Sequence, residues 1–450
     1  MRIVIVGYGS AGMTAAGYAR TTNRRAEIVV FEKRDYAIYH PCSLPDMIGG
    51  VLPGPEALVE EAPRLPRFKL YTSTLVKEVD RSGRRVIAQN LKTGDEIEVE
   101  YDRLILATGS IPLVPRAIKV EDGEAVFTLK TVEDAVAIKE AAEKYKSAIV
   151  VGGSFIGIEV AHALRKAGVN VTLIEYFPQV MPGKLDPEVA KIVEETLRKE
   201  GINLVLGQGV TEVSGPAGDK RVATKDSEYR AGFVVMATGV RPDVVLAKHM
   251  GLEIGSMGGI KVDERMRTSD PAIYAAGDNV EVPDLVTGKP ILSLLASTAV
   301  RMGRVAGVNA AGGDLTFKGV VNVWVVNLEH LQFGGVGLTL EGAKRHGMDA
   351  AAVTITAPDK PRVYSGAGEL TVRLVVDKQT GKLLGGQVLG RSGVLARLNT
   401  LAVAVSRGMS VKDLAGLELA YTPSLCDVID PIHVAADAII RRVFREQLPA

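Results

Sequence analysis

Apolar runs of strand length recur along the chain, and most of them stop at a glycine. Val4-Ile5-Val6 leads into Gly7-Tyr8-Gly9-Ser10-Ala11-Gly12, an amphipathic stretch follows, and Ile28-Val29-Val30-Phe31 ends in Glu32. The same order returns at Ala148-Ile149-Val150-Val151, which opens into Gly152-Gly153-Ser154-Phe155-Ile156-Gly157 and reaches Val171-Thr172-Leu173-Ile174-Glu175 after a helix. Short apolar runs bounded by turn residues predict buried strands. Three more such runs close on glycine: Leu104-Ile105-Leu106-Ala107-Thr108-Gly109-Ser110, Val234-Val235-Met236-Ala237-Thr238-Gly239, and Ile273-Tyr274-Ala275-Ala276-Gly277-Asp278.

Between these runs the pattern changes. From Val76 to Val99 short strand-like segments broken by Ser82-Gly83 and Thr93-Gly94 predict a β-meander. Residues 51–68 carry prolines and charges and read as a surface loop or short helix, and Pro112 and Pro115 mark a linker. Small residues from about Ser297 to Ala311 suit a closely packed helix. From Val320 onward, Val320–Val326, Leu370–Asp377 and Leu384–Leu389 predict antiparallel strands, with helices over Val394–Arg407 and His433–Phe444. The expected fold class is α/β. Two dinucleotide-binding, Rossmann-like domains occupy residues 1–112 with 244–319 and residues 113–243, and an α+β domain occupies 320–450.

A chain of 450 residues is long enough for two or three cores. Its 54 Lys and Arg against 53 Asp and Glu give no electrostatic case for nucleic acid or an anionic membrane surface. No apolar run approaches the roughly 18 residues that a membrane-spanning helix needs. No basic region precedes an apolar leader, and Cys42 and Cys426 alone make no disulfide framework, so a soluble cytoplasmic protein is expected. No metal site is expected.

The glycine turns carry the chemistry. Glycines let the backbone turn tightly and approach a pyrophosphate, which then meets a helix N-terminus, and an acidic residue about 20 positions on reaches a ribose hydroxyl. Gly7, Gly9, Ser10, Ala11, Gly12 and Glu32 form one such set. Gly152, Ser154, Phe155, Ile156, Gly157 and Glu175 form the other, with Ser154 where the first turn has Gly9. Two dinucleotides in one chain imply one held permanently and one exchanging. Cys42 follows Glu32 closely, and Pro41-Cys42-Ser43 suits a helix start, where a redox thiol would have its pKa lowered.

With these motifs the chain resembles the two-dinucleotide-binding flavoprotein disulfide reductases over nearly its whole length. Gly12-Met13-Thr14-Ala15-Ala16, the Glu32-to-Cys42 spacing, Tyr364-Ser365-Gly366-Ala367 and Leu417-Glu418-Leu419-Ala420-Tyr421 are similar to the single-cysteine branch. That branch holds coenzyme A disulfide reductases, persulfide and polysulfide reductases, and NADH oxidases and peroxidases. The resemblance implies FAD in the first unit and NADH, with NADPH possible, in the second. It also implies a C-terminal dimerisation domain that completes the partner's active site in a homodimer. Lys33, Thr108, Gly109, Asp278, Ala296 and Ser297 carry over as FAD contacts, and Gly239 and Glu159 as contacts on the nicotinamide side. Glu175, with no arginine at Tyr176 or Phe177, would repel a 2′-phosphate and favour NADH.

The resemblance further implies catalysis by Cys42 with Tyr364 and with Tyr421 from the other subunit. Thr14, Arg20, Tyr39 and His40 remain for the substrate. A Cys-x4-Cys pair is absent, since residue 47 is Met, and Ser10 stands where the oxidase and peroxidase branch carries histidine. Both departures favour a low-molecular-weight sulfur substrate: a disulfide, persulfide or polysulfide, with coenzyme A derivatives as one case. The alternatives are an NADH oxidase and, in another class, a flavin-based redox sensor read by a partner protein.

Overall fold

The computed structural model describes residues 1–63, 66–121 and 123–444. Residues 64 and 65 of the proline-rich segment, and residues 445–450 at the end of the third unit, lie outside the described residues.

Each glycine-turn unit builds a five-stranded parallel sheet, and the two sheets share one order. In the first, the strands run Ile273–Ala275, Arg103–Leu106, Arg2–Val6, Glu27–Phe31, Phe68–Tyr71 across the sheet. In the second they run Val126–Phe127, Phe233–Met236, Ser147–Val151, Asn170–Glu175, Asn203–Leu206. Strands buried on both faces carry continuous apolar runs, which is why Ile3–Val6, Leu104–Leu106, Ala148–Val151 and Phe233–Met236 are all buried. The β-meander expected from Val76 to Val99 forms as Thr74–Asp80, Arg85–Asn90 and Glu96–Glu100.

Helices α1 (Ser10–Thr22), α2 (Leu44–Ile48), α3 (Val132–Tyr145) and α4 (Phe155–Lys166) surround the site. The small-residue helix runs from Ala296 to Ala310 and lies tightly on α1. A Cβ on Gly303 would strike the Ala11 carbonyl oxygen, and one on Gly307 that of Ala15. The chain crosses between the two units twice, and the crossings pair: Ser110–Pro112 runs antiparallel to Val240–Pro242. The Pro112 linker is thus half of a two-stranded ribbon.

The third unit is a five-stranded antiparallel sheet, in order Trp324–Asn327, Gln332–Gly337, Leu383–Gly390, Glu369–Asp377, Ala350–Pro358. Helices Val394–Ser406 and Pro431–Val443 share its core. The strand expected from Val320 starts only at Trp324. Val320 instead exchanges backbone bonds with Pro283 and Leu285 of the first unit, which uses up its pairing capacity. Gln332–Gly337 is a strand that the pattern does not announce. Its Gly334 is there because a Cβ would strike Leu398 of the covering helix, and glycine hides a strand from propensity.

Candidate active site

The two glycine turns have matching geometry. Gly7 sits at φ +95°, and a Cβ there would collide with the Ala107 carbonyl oxygen; one on Gly12 would collide with the Gly7 oxygen. Gly152 and Gly157 repeat both approaches against Ala237 and Gly152. Gly9 (φ −74°, ψ −168°) and Ser154 (φ −94°, ψ −168°) occupy equivalent cap positions of α1 and α4. A Cβ at Gly9 would meet nothing within 4 Å, so the conformation itself accepts the serine side chain. Neither helix start has a side-chain cap, which leaves its first N–H groups, including those of Ser10, Ala11, Phe155 and Ile156, directed to whatever lies in the turn. Gly109 (φ +72°) and Gly239 (φ +116°) likewise have open space on the Cβ side. This cradle fits the pyrophosphate of a dinucleotide.

The acidic residues also match, with one difference. Glu32 accepts from the Tyr8 amide (2.7 Å) as Glu175 accepts from the Gly153 amide (2.6 Å). Glu175 takes a second bond from the Phe177 amide (2.8 Å). Glu32 takes the matching bond from the Arg34 amide (3.0 Å) and, in addition, the Arg34 guanidinium at 2.8 and 2.6 Å. Burial works against the Glu32 charge, but Arg34 outweighs it and holds the carboxyl below its ordinary range. Arg34 stacks on the Tyr39 ring, 4.1 Å from its centroid. Sequence reasoning passed over Arg34, although its place two residues after the acid was a usable signal. Lys33 is exposed.

Cys42 lies in a 3₁₀ turn, Pro41–Ser43, that runs directly into α2. The helix start is present, but its expected effect on the thiol is not. Burial raises the Cys42 pKa, the charges of Glu159 and Asp278 raise it further, and only Lys130 pulls it down. Glu159 projects from α4, and burial followed by the charge of Asp46 pushes its carboxyl up to about 7. Lys130 donates to Ser110 Oγ (2.9 Å), which donates to Asp278 Oδ2 (2.7 Å). Burial lowers the Lys130 pKa and Asp278 opposes the fall. Tyr39 donates its hydroxyl to the Lys130 carbonyl (3.1 Å). Residues of both nucleotide units thus converge on Cys42. Lys130, Ser110 and Asp46 were not legible in the sequence: Lys130 merely precedes the Thr131–Asp134 capping box of α3.

Other expected residues stand apart from this cluster. His40 pairs with Glu60 (2.7 Å) at the surface, which turns its ring to that carboxylate instead of the thiol. Arg20 donates to the Arg24 carbonyl (2.6 Å) and Thr14 to that of Ser10 (2.7 Å), so both serve the backbone of α1 and its exit. Thr108 Oγ1 donates to the Asp243 carbonyl (2.6 Å) beside the ribbon. Ala296 and Ser297 are exposed at the start of their helix. Tyr364 and Tyr421 are exposed on the third unit, as are Val363, Leu425, Val428 and Ile429. Cys426 is buried beside the Ala420 and Thr422 carbonyls, and His433 bonds the Leu417 carbonyl (3.0 Å). Among the described residues no group of three or more metal-ligating side chains occurs, and no helix is long and apolar enough to cross a membrane.

Two linked glycine-turn units with a cysteine between them define a two-nucleotide oxidoreductase. Residues 1–303 match the pyridine nucleotide-disulphide oxidoreductase family and residues 325–431 match the dimerisation domain of that family. The chain belongs to the pyridine nucleotide-disulphide oxidoreductases. It is an NAD(P)H-dependent flavoprotein reductase, and its flavin is FAD. It is 36% identical over 449 residues to an NADH oxidase of Methanocaldococcus jannaschii, covering 98% of this chain and 99% of the relative. It is 37% identical over 441 residues to an NAD(P)H coenzyme A polysulfide/persulfide reductase of Pyrococcus horikoshii, covering 97% of each. The solved structure of an NAD-dependent persulfide reductase from A. fulgidus superposes with a TM-score of 0.95 at 36% identity, covering 99% of this chain and 84% of that one.

Proposed function

We propose that this protein is a sulfur reductase of the single-cysteine kind, in which Cys42 receives reducing equivalents from NADH by way of FAD and cleaves a low-molecular-weight disulfide, persulfide or polysulfide. The observation that carries the reading is the lone Cys42 where Lys130, Glu159 and Asp278 meet from both nucleotide units. FAD, when bound, supplies the exchange of two electrons between a hydride donor and a thiol. The turns Gly7–Gly12 and Gly152–Gly157 hold the two pyrophosphates, and Glu32 and Glu175 hold the adenosine riboses. The Cys42 thiolate attacks one sulfur of the substrate, the S–S bond breaks, and the departing sulfur leaves as a thiol carrying a proton. The resulting Cys42 disulfide takes two electrons and a proton, which restores the Cys42 thiolate and releases the second sulfur species as a thiol. For a disulfide the balance is RSSR + NADH + H⁺ → 2 RSH + NAD⁺.

Lys130 favours the thiolate, and Glu159, with a pKa near the working pH, is suited to hold or give up the proton. The persulfide and polysulfide reductases among the relatives support the sulfur substrate, and coenzyme A derivatives are its first candidates. The matched dimerisation domain and the exposure of Tyr421 support a homodimer in which Tyr421 and Tyr364 face the partner's Cys42, and we place the protein in the cytoplasm. The second reading, an NADH oxidase, rests on the similarity to the Methanocaldococcus jannaschii protein. Anaerobic and aerobic turnover with coenzyme A disulfide, a persulfide, polysulfide and oxygen separates them. A sulfur species should give a kcat/KM well above that of oxygen, and oxygen as the best acceptor would overturn the reading.

A further inference from the structure

Away from Cys42, the three units of the chain meet around a cavity of about 170 Å³. That is an order of magnitude more room than the roughly 10–15 Å³ that a single water requires. Lys184 comes from the second unit, Asp284 from the first, and Asn322, Trp324, Thr339 and Arg345 from the third.

The lining is rich in donors. Lys184 is half-buried, and its ammonium makes no side-chain hydrogen bond or ion pair among the described residues. Burial lowers its pKa and the charge of Asp284 only partly restores it. Asp284 spends one oxygen on the Val286 and Thr287 amides (3.0 and 2.8 Å). Asn322 accepts from Ser293 through its side-chain oxygen, which leaves its NH₂ to donate. Thr339 Oγ1 accepts from the Gly342 amide (2.9 Å), which leaves its hydroxyl proton to donate. Arg345 is paired with Glu341 (3.9 Å), so Lys184 is the lining cation that has no ion pair among the described residues. A buried charge is ordinarily paired, and an unpaired ammonium facing a polar cavity is a place for an anion.

We propose that this three-way junction is a binding site for a small oxyanion, of the size and charge of inorganic phosphate or sulfate, with Lys184 as its principal contact. The site touches the nucleotide machinery through the backbone. The Lys184 amide donates to the Met181 carbonyl (3.0 Å), and the Met181 amide donates to Gly153 in the second glycine turn (2.8 Å). Trp324, on the cavity wall, packs edge-on against Phe155 at the start of α4, with ring centroids 5.0 Å apart. An anion here ties the three units together and braces that turn.

Calorimetric titration of inorganic phosphate into the full-length holoenzyme tests this, with NAD⁺ present to cover the nucleotide turns and sodium chloride at equal ionic strength as reference. Sulfate and acetate arms distinguish a tetrahedral oxyanion from a carboxylate. We expect one saturable phosphate site per chain, weakened at least about tenfold in Lys184→Met and retained in Lys184→Arg. Asn322→Asp, nearly isosteric and adding a negative charge, should weaken it as well, and it decides the matter if Lys184→Met does not fold. Phosphate heats no different from chloride, or saturable binding undiminished in both variants, would overturn the proposal.

Discussion

The carboxyl of Glu159, on the helix that opens the second nucleotide turn, acts on the thiol of Cys42 in the first unit and raises its pKa. Burial and the charge of Asp46 hold the Glu159 carboxyl up, while the thiol responds to burial, to Glu159 and to Asp278. Lys130 is the one cation that works in favour of the thiolate. The site is thus set to keep Cys42 protonated until positive charge or a bound cofactor tips the balance.

Replacing Lys130 with methionine should therefore raise the Cys42 pKa further. Thiolate forms as pH rises, so the alkylation rate of Cys42 against pH should shift to higher pH in Lys130→Met. At neutral pH the rate should fall by about tenfold, the effect of one pKa unit. An unchanged profile would mean that Lys130 does not act on the thiol.

Glu159 gives a stability signature with a definite sign. Its pKa rises from 4.5 unfolded to about 7 folded, so between those values the native state holds a proton that the unfolded chain has released. The protein should lose stability as pH rises through that window, by roughly 1–3 kcal/mol. Glu159→Gln should remove this slope. Thermal unfolding of the two proteins across the window measures it, and parallel curves would contradict the assignment.

Cofactor choice should follow Glu175. Its oxygens are held by the Gly153 and Phe177 amides, and among the described residues no basic side chain pairs with them. NADH should exceed NADPH in kcat/KM by about tenfold, a like-charge cost of roughly 1–3 kcal/mol, and Glu175→Ala should narrow the gap. Equal efficiencies in the wild type would assign selection to another residue.

Much of this site was legible from residue order alone. The glycine turns, both terminal acids and Cys42 sit on local strand–turn–helix patterns, and local patterns survive in sequence. The parallel sheets followed from the same runs. Lys130, Ser110 and Asp278 were not legible as a group, because the chain leaves and re-enters each unit before they meet, and a hydrogen-bonded chain between distant segments leaves no periodicity. His40 shows the opposite failure: its nearness in sequence to Cys42 suggested a role, and antiparallel pairing of Ile38–Tyr39 with Val59–Glu60 gave its ring to Glu60.

The shared-site homodimer makes a sharper forecast. Tyr421 is exposed on the third unit, and a two-fold interface would present each Tyr421 to the opposite Cys42. With Tyr421→Phe and Cys42→Ser homodimers both impaired, a mixed dimer should regain about half of wild-type activity, since one of its two sites carries neither lesion. Activity no higher than that of the Tyr421→Phe chain alone would mean that each site belongs to one subunit.

The central claim, that Cys42 carries electrons to sulfur, is tested most directly by Cys42→Ser. FAD content and the rate of anaerobic flavin reduction by NADH should stay near wild-type values, because the glycine turns, Glu32 and Asp278 are untouched. Turnover of disulfide, persulfide and polysulfide should be abolished. Sulfur-substrate turnover persisting in Cys42→Ser would contradict the account.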